Sequence, residues 1–146
     1  MKSKAINEKP KTFAIVFEKG DEVLEGLKRF AREEQLGASQ FTAIGAFSEV
    51  LLGFFNFEKR DYKRIPVNEQ VEVLSLIGDV ALEDGDPKIH AHVVLGKSDG
   101  TACGGHLLEA FVRPTLELIL TESPKHLQRV MDDETGLALI ELGQDN

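Results

Sequence analysis

Three of the chain's four histidines lie within the stretch KIHAHVVLGKSDGTACGGHLLEA, residues 88–110. His90 and His92 precede a loop rich in glycine and aspartate, and His106 follows it. Neutral imidazole is a common nitrogen ligand of Zn²⁺, and three histidines leave a fourth coordination position open for water or a substrate. Iron, cobalt, nickel and copper accept the same ligands, so zinc is the default choice among the divalent transition metals. The residue types therefore predict a metal site of the catalytic or ligand-binding kind.

Whether the three imidazoles meet depends on the register of a β-hairpin. Side chains two apart on a strand share a face, so His90 and His92 point to the same side of the sheet. One hairpin register sets His106 opposite His90, and a second sets it opposite His92; nothing in the turn sequence decides between them. Both registers bring the three rings onto one face. A bulge at Gly104-Gly105 would instead move His106 to the other face.

Other residues near this stretch are weaker candidates for a role in chemistry. Glu109 is the candidate general base, and Glu117, like Glu109, could orient an imidazole, although solvated strand carboxylates are more common. Arg113 could bind an anionic ligand. Cys103 is three residues from His106, so a regular strand turns it to the opposite face, as a small buried side chain rather than a ligand. We expect His126, outside this stretch, to lie on the surface.

The composition indicates a single soluble domain in a reducing compartment. A chain of 146 residues can bury its own core. A single cysteine excludes an internal disulfide framework, and the N-terminus MKSKAINEKPK lacks the apolar segment of a secretory signal. No apolar run approaches the roughly 20 residues that span a bilayer. We therefore expect a cytoplasmic protein without a membrane partner.

The charge of the chain argues against tight binding to nucleic acid. The net charge is −8, with 25 acidic and 17 basic residues. Non-specific affinity for nucleic acid comes mostly from lysine and arginine that neutralise phosphates. The basic residues cluster weakly, in the N-terminal lysines and in the run between Lys59 and Arg64. We expect no tight DNA binding.

The hydrophobic patterning predicts an α+β fold, a single domain with a largely antiparallel sheet and two helices. Asp21 is the expected N-cap of the first helix, Gly37 its C-terminal glycine, and Ser123 the expected N-cap of the second. We assign residues 1–10 to an N-terminal tail and residues 11–146 to the domain. Alternating or short apolar runs predict strands, and 3.6-residue periodicity predicts helices. The predicted strands are 11–18, 40–47, 49–58, 70–82, the hairpin around 88–110, 115–120 and 137–142, and the predicted helices are 21–35 and 124–133.

The segments EVLSLIG, HAH and GGHLLE, together with GDEVLEGLKRFAREEQLGASQFTAIGAFSEVLLGFF, resemble the plant and prokaryote conserved (PPC) domain. The resemblance runs from about Thr12 to Leu142. It implies an α+β domain that assembles as a homotrimer, and it carries the family's three histidines over to His90, His92 and His106 as metal ligands. In plants the domain accompanies AT-hooks in DNA-binding regulators, and stand-alone prokaryotic members are often named DNA-binding proteins for that reason.

An AT-hook requires an Arg-Gly-Arg-Pro core, and the sequence contains none. A shared fold does not by itself carry a shared function. We therefore expect a metal-binding, homotrimeric PPC-type domain that binds or acts on a small molecule. The alternative is a DNA-associated regulatory module.

Four phenylalanines lie between residues 47 and 57, and we expect them in the core or at a subunit interface. They are Phe47, Phe54, Phe55 and Phe57.

Overall fold

A computed structural model describes residues 1–8 and 10–142, and for residues 2–8 it describes the backbone alone. Within these residues the chain is mostly sheet, with one helix. The strands and the helix are β1 Lys2–Glu8, β2 Lys11–Glu18, α1 Val23–Glu33, β3 Ala38–Asn56, β4 Asp61–Val67, β5 Val71–Glu83, β6 Asp86–Gly96, β7 Ala102–Glu122, β8 Gln128–Asp132 and β9 Leu137–Glu141. The strand β1 lies in the segment that we assigned to a tail, and it pairs with β2.

The nine described strands form one sheet in the order β1-β2-β7-β3-β5-β8-β9, with β4 beside β3 and β6 between β5 and β7. The pairs are antiparallel except β5 with β8, which confirms the largely antiparallel sheet. The pairings of β3 with β5, β5 with β6, β6 with β7 and β7 with β3 make a closed circuit. This circuit carries the three histidines.

One side of the sheet forms the core with the helix. In β2, Phe13, Ile15 and Phe17 alternate with more exposed residues, as a half-buried strand requires. The helix buries Phe30 against them, and the rings of Phe13 and Phe30 meet edge to face at 5.1 Å. Burying each such side chain contributes about 1.5–3 kcal/mol. In the described part of the chain no helix is long and apolar enough to cross a membrane.

The ends of α1 differ slightly from the expected positions. Glu22 caps the N-terminus, because its carboxylate accepts the backbone N–H of Glu25 at 2.6 Å, whereas Asp21 accepts the N–H of Glu18. The helix ends at Glu33, before Gly37 is reached. Gln35, with φ of 56°, turns the chain out of the helix.

The predicted second helix over 124–133 is wrong: the segment contains β8, which pairs with β9. The acidic run 132–134 would lie at the C-terminal end of that helix, where negative charge opposes the helix dipole. In the hairpin, the side chain of Asp132 accepts bonds from the backbone and hydroxyl of Thr135, and Gly136 adopts φ of 74°. A turn therefore forms where helical periodicity alone suggests a continuing helix.

The two predicted strands 40–47 and 49–58 form one long strand, β3. The pairing with β7 continues across the residues between them because β-bulges absorb the change of register. Register shifts at Gly45 and near Ser48 bend β3 while it stays paired with β7. At Gly45, with φ of 154°, a Cβ would lie 2.3 Å from the carbonyl oxygen of Thr115, so no larger residue fits there. The strand β4, absent from the sequence prediction, pairs with the second half of β3.

Candidate metal centre

The hairpin of β6 and β7 adopts the second of the two registers open to it. Gly96 pairs with Ala102, and His106 lies directly opposite His92. The ladder between these pairs contains no bulge at Gly104-Gly105. A Cβ on Gly104 would lie 2.5 Å from the carbonyl oxygen of Val93, so glycine allows the close approach of the two strands. His106 therefore stays on the face that carries His90 and His92.

The three imidazoles converge on one point. His90, His92 and His106 each offer a ring nitrogen, and these three atoms lie within 4.8 Å of one another. The Nε2 atoms of His90 and His92 are 3.1 Å apart. Two nitrogens bonded tetrahedrally to Zn²⁺ at about 2.0–2.1 Å would be about 3.3 Å apart. The spacing of the first pair thus fits a shared metal ion.

The surroundings keep the rings of His92 and His106 neutral, which is the form that binds a metal. Burial, with smaller contributions from the charges of His90, His92 and Lys88, lowers the pKa of His106 to about 4. Burial also lowers the pKa of His92, with a smaller contribution from His90. Metal ligation requires an unprotonated nitrogen. At neutral pH, His92 and His106 are therefore ready to bind without losing a proton.

His106 is held from behind by an aromatic ring and has an unsatisfied nitrogen. Tyr62 of β4 stacks on His106, with ring centroids 4.7 Å apart and an angle of 26° between the planes. The Nδ1 atom of His106 is buried and has no hydrogen-bond partner. A buried polar atom without a partner is costly. A metal bound to this ring would satisfy one of its nitrogens, so the residues fit a metal.

Asp79 of β5 lies beside His90, and the sequence prediction missed it. Asp79 pairs with His90 across the strands, and its Oδ2 lies 3.7 Å from Nδ1 of His90. Its Oδ1 accepts a 2.6 Å bond from Nη2 of Arg129. Burial raises the pKa of Asp79, but the donors of His90 and Arg129 outweigh it and the pKa is lowered. Asp79 is therefore ionised beside the site at neutral pH.

The histidines open onto an exposed face of the sheet. Two rows of paired residues cross this face from β7 to β6, first Thr121, Gln40, Asp79 and His90, then Ile119, Thr42, Ile77 and His92. Together with Phe41 and Gly78, these residues line a cavity of about 570 Å³. Its lining contains no lysine or arginine. A ligand there would meet apolar groups, uncharged polar groups and the carboxylate of Asp79, with His90 and His92 at one end.

Glu109, the candidate base, lies away from this cavity. It is exposed and lines a separate small cavity with Glu49 and Phe111. Glu117 is exposed beside Ile44, on the sheet face beyond the histidines. Within one subunit, Asp79 rather than Glu109 is thus the carboxylate beside His90.

The remaining candidates also lie apart from the histidines. Cys103 pairs with the fully buried Leu95 and packs against the core, on the opposite face from His106. Arg113 is exposed, and His126 is exposed in the segment before β8. The positions of Cys103 and His126 agree with the expectations from the sequence. None of these side chains lines the cavity next to His90 and His92.

The model of the Plants and Prokaryotes Conserved domain matches residues 5–124 of the chain. The chain belongs to this family. No curated protein matches it. Among solved structures, a PPC protein from Pyrococcus horikoshii is 37% identical, with a TM-score of 0.84 over 90% of this chain and 91% of that one.

Two further solved structures are similar to this PPC protein. A metal-containing protein from Archaeoglobus fulgidus is 34% identical, with a TM-score of 0.84 over 90% of this chain and 94% of that one. A protein from Bacteroides thetaiotaomicron, named provisionally as DNA-binding, is 25% identical, with a TM-score of 0.90 over 96% of both chains. The relatives thus differ in what their names attribute to them, although they share one fold.

Proposed function

We propose that this PPC protein binds a divalent transition metal, with zinc as the default, through His90, His92 and His106. The observation that carries the proposal is the convergence of three ring nitrogens within 4.8 Å. The neutral rings of His92 and His106 and the unpartnered Nδ1 of His106 support it. The archaeal relative that is named a metal-containing protein supports it as well.

The centre serves a small molecule that occupies the cavity next to His90 and His92. A bound metal with an open position polarises a carbonyl or lowers the pKa of a coordinated water. The residues of this chain supply the rest of the site. Asp79 keeps a negative charge beside His90, and Ile77 and Ile119 give the cavity an apolar wall. A general base beyond Asp79 would come from a neighbouring subunit.

The protein assembles as a homotrimer in the cytoplasm, and the apolar part of the exposed sheet face forms the subunit contact. We call this part the apolar face. Its side chains are between 37% and 62% exposed in one subunit, which is a large exposed apolar surface for a monomer. They are Val16, Ile44, Leu74 and Val94. Light scattering at micromolar concentration should give three times the chain mass of 16.1 kDa, and a monomer mass would contradict the trimer.

Metal content per subunit tests the metal centre. We expect close to one metal ion per chain in the parent protein after incubation with Zn²⁺ and desalting. His92→Ala and His106→Ala each remove one ligand of three and should sharply reduce the metal content. The matched control is His126→Ala, which removes an exposed histidine outside the cluster and should leave the content unchanged. Equal metal content in all four proteins would overturn the proposal.

A DNA-associated regulatory role is the second candidate, and the name of the Bacteroides relative is the observation that favours it. In this chain, Lys59, Arg60, Lys63 and Arg64 are exposed on the hairpin of β3 and β4. These four residues are positively charged, but the whole chain has a net charge of −8, which opposes binding to DNA phosphates. We therefore rank this role below metal binding.

A further inference from the structure

A buried arginine is tied to the metal centre from outside the strands that carry the histidines. The side chain of Arg129 is 6% exposed, although it comes from β8 in the C-terminal hairpin. Its Nη1 donates to the carbonyl oxygen of Ala138, and its Nη2 donates to Oδ1 of Asp79 at 2.6 Å. A buried guanidinium requires a carboxylate partner. The charge of Arg129 therefore holds Asp79 at a fixed position next to His90.

The contact of Asp79 with His90 bears on which ring nitrogen of His90 is free. The Nε2 atom of His90 faces the Nε2 atom of His92, so it is the atom that can bind a shared metal. Nε2 can bind only if the ring proton is on Nδ1. Nδ1 lies 3.7 Å from Oδ2 of Asp79, an acceptor, and 3.4 Å from Nη2 of Arg129, a donor.

These two neighbours favour opposite tautomers of His90. A proton on Nδ1 faces the carboxylate of Asp79, whereas a bond from Arg129 to Nδ1 would leave the proton on Nε2 and block the metal. Both contacts to Nδ1 are too long to be strong hydrogen bonds, and Nη2 of Arg129 already makes its short bond to Asp79. Of the two neighbours, only Asp79 can accept the Nδ1 proton that a metal on Nε2 requires.

We propose that Asp79 and Arg129 are positioning residues of the metal centre: Asp79 holds the ring proton of His90 on Nδ1, and Arg129 holds Asp79 in place. The inference rests on the proposed metal binding. Histidine ligands of metals commonly donate their second N–H to a carboxylate, which fixes the ring and its tautomer. Here the carboxylate is anchored in turn by the C-terminal hairpin.

This arrangement also makes the hairpin of β8 and β9 part of the site. The pairing of β8 with β5 contains two residue pairs, Leu82 with Gln128 and Glu83 with Arg129. The bond between Arg129 and Asp79 joins the same two strands on the side of the histidines. A change at Arg129 should therefore reach His90 through Asp79.

The experiment compares Asp79→Asn with Asp86→Asn. Asp86 lies on the same hairpin of β5 and β6 and also pairs with an arginine, Arg32, but it contacts none of the three histidines. Zinc affinity is measured by competition with a chromophoric chelator. We expect Asp79→Asn to weaken binding about 10- to 100-fold, and Asp86→Asn to change it less than twofold.

A second measurement tests the tautomer in the metal-free protein. Nitrogen-15 NMR at pH 8 should show the proton of His90 on Nδ1 in the parent protein, and should show a shift of the proton towards Nε2 in Asp79→Asn. Circular dichroism spectra that match the parent confirm that the variants are folded.

The outcomes separate the two proposals. A parent protein that binds no zinc would overturn the metal centre, while the NMR measurement still decides the role of Asp79. A parent that binds zinc, with equal affinity in Asp79→Asn, would overturn the positioning role alone. A proton on Nε2 of His90 in the parent would also overturn it.

Discussion

The exposed face of the sheet has two regions that are built by the same strands and differ in chemistry. At one edge, His90, His92 and His106 converge, with Asp79 beside them. A few residues further along the strands, the apolar face begins, and Ile44 is 62% exposed there. Strand alternation turns both regions to the same side of the sheet. The backbone offers the same geometry to each, so their roles differ because of their side chains.

The proposed metal binding and the proposed subunit contact both lie on one sheet surface, and neither requires a dedicated loop. The histidine cluster would select a metal through three ring nitrogens, whose positions are set by the hairpin register. The apolar face has exposed apolar surface, and burial of this surface favours association. If the account is right, a substitution in one region should leave the property of the other region largely intact.

The largest expected effect is on assembly. Ile44→Asp places a charge in the apolar face, and this charge would be buried without a partner in the proposed trimer. We expect the mass in light scattering to fall from three chains to one, while zinc binding persists. Met131→Asp is the matched control, because Met131 is 58% exposed on β8, outside the apolar face, and this variant should stay trimeric. Loss of zinc together with the trimer would show that the two regions depend on each other.

The next largest effect is on stability against pH in the metal-free protein. The pKa of His106 is about 4 in the folded chain and 6.5 in an unfolded one. Between these values the unfolded chain binds the additional proton, so the free energy of unfolding decreases as the pH falls from 6.5 to 4. His106 is half-exposed, so solvent reduces the effect to about 1–2 kcal/mol.

Urea unfolding at pH 7 and at pH 4.5 measures this dependence. His106→Gln carries no titrating group and should have a smaller loss of stability across the interval, whereas His126→Ala should behave as the parent does. An unchanged loss in His106→Gln would mean that other groups cause the dependence.

Most of the histidine site could be predicted from the sequence because it depends on local spacing. The alternation of His90 and His92 fixes their shared face, and both open registers bring His106 to that face. The register itself depends on how closely β6 and β7 approach at Gly104, which is a contact between strands rather than a property of the turn. The sequence therefore predicted the cluster but not its exact pairing.

The sequence prediction missed Asp79 and Arg129, the two residues beside Nδ1 of His90. The turn at Asp84-Gly85 pairs Glu83 with Asp86, and counting back from it would have set Asp79 opposite His90. The turn sequence therefore contains a signal for the position of Asp79. Arg129 offered no such signal, because its segment has helical periodicity and becomes a strand by pairing with β9 and β5. Tertiary pairing here overrides local preference.

The smallest expected effect concerns DNA. The net charge of −8 and the missing AT-hook predict no sub-micromolar binding to duplex DNA at 150 mM salt. Fluorescence anisotropy with a labelled duplex checks this. Tight binding with a steep salt dependence would contradict it, and its loss in Lys63→Glu would assign the interaction to the hairpin of β3 and β4.

X-ray absorption at the zinc edge tests the metal centre most directly, because it reports the ligands themselves. The account predicts three imidazole nitrogens at about 2.0–2.1 Å in the zinc-loaded protein, together with a light atom at the open position. In His106→Ala the imidazole scattering should fall by about one third, or the zinc should be lost. A sulfur neighbour at about 2.3 Å, or a spectrum without imidazole scattering, would contradict the three-histidine centre.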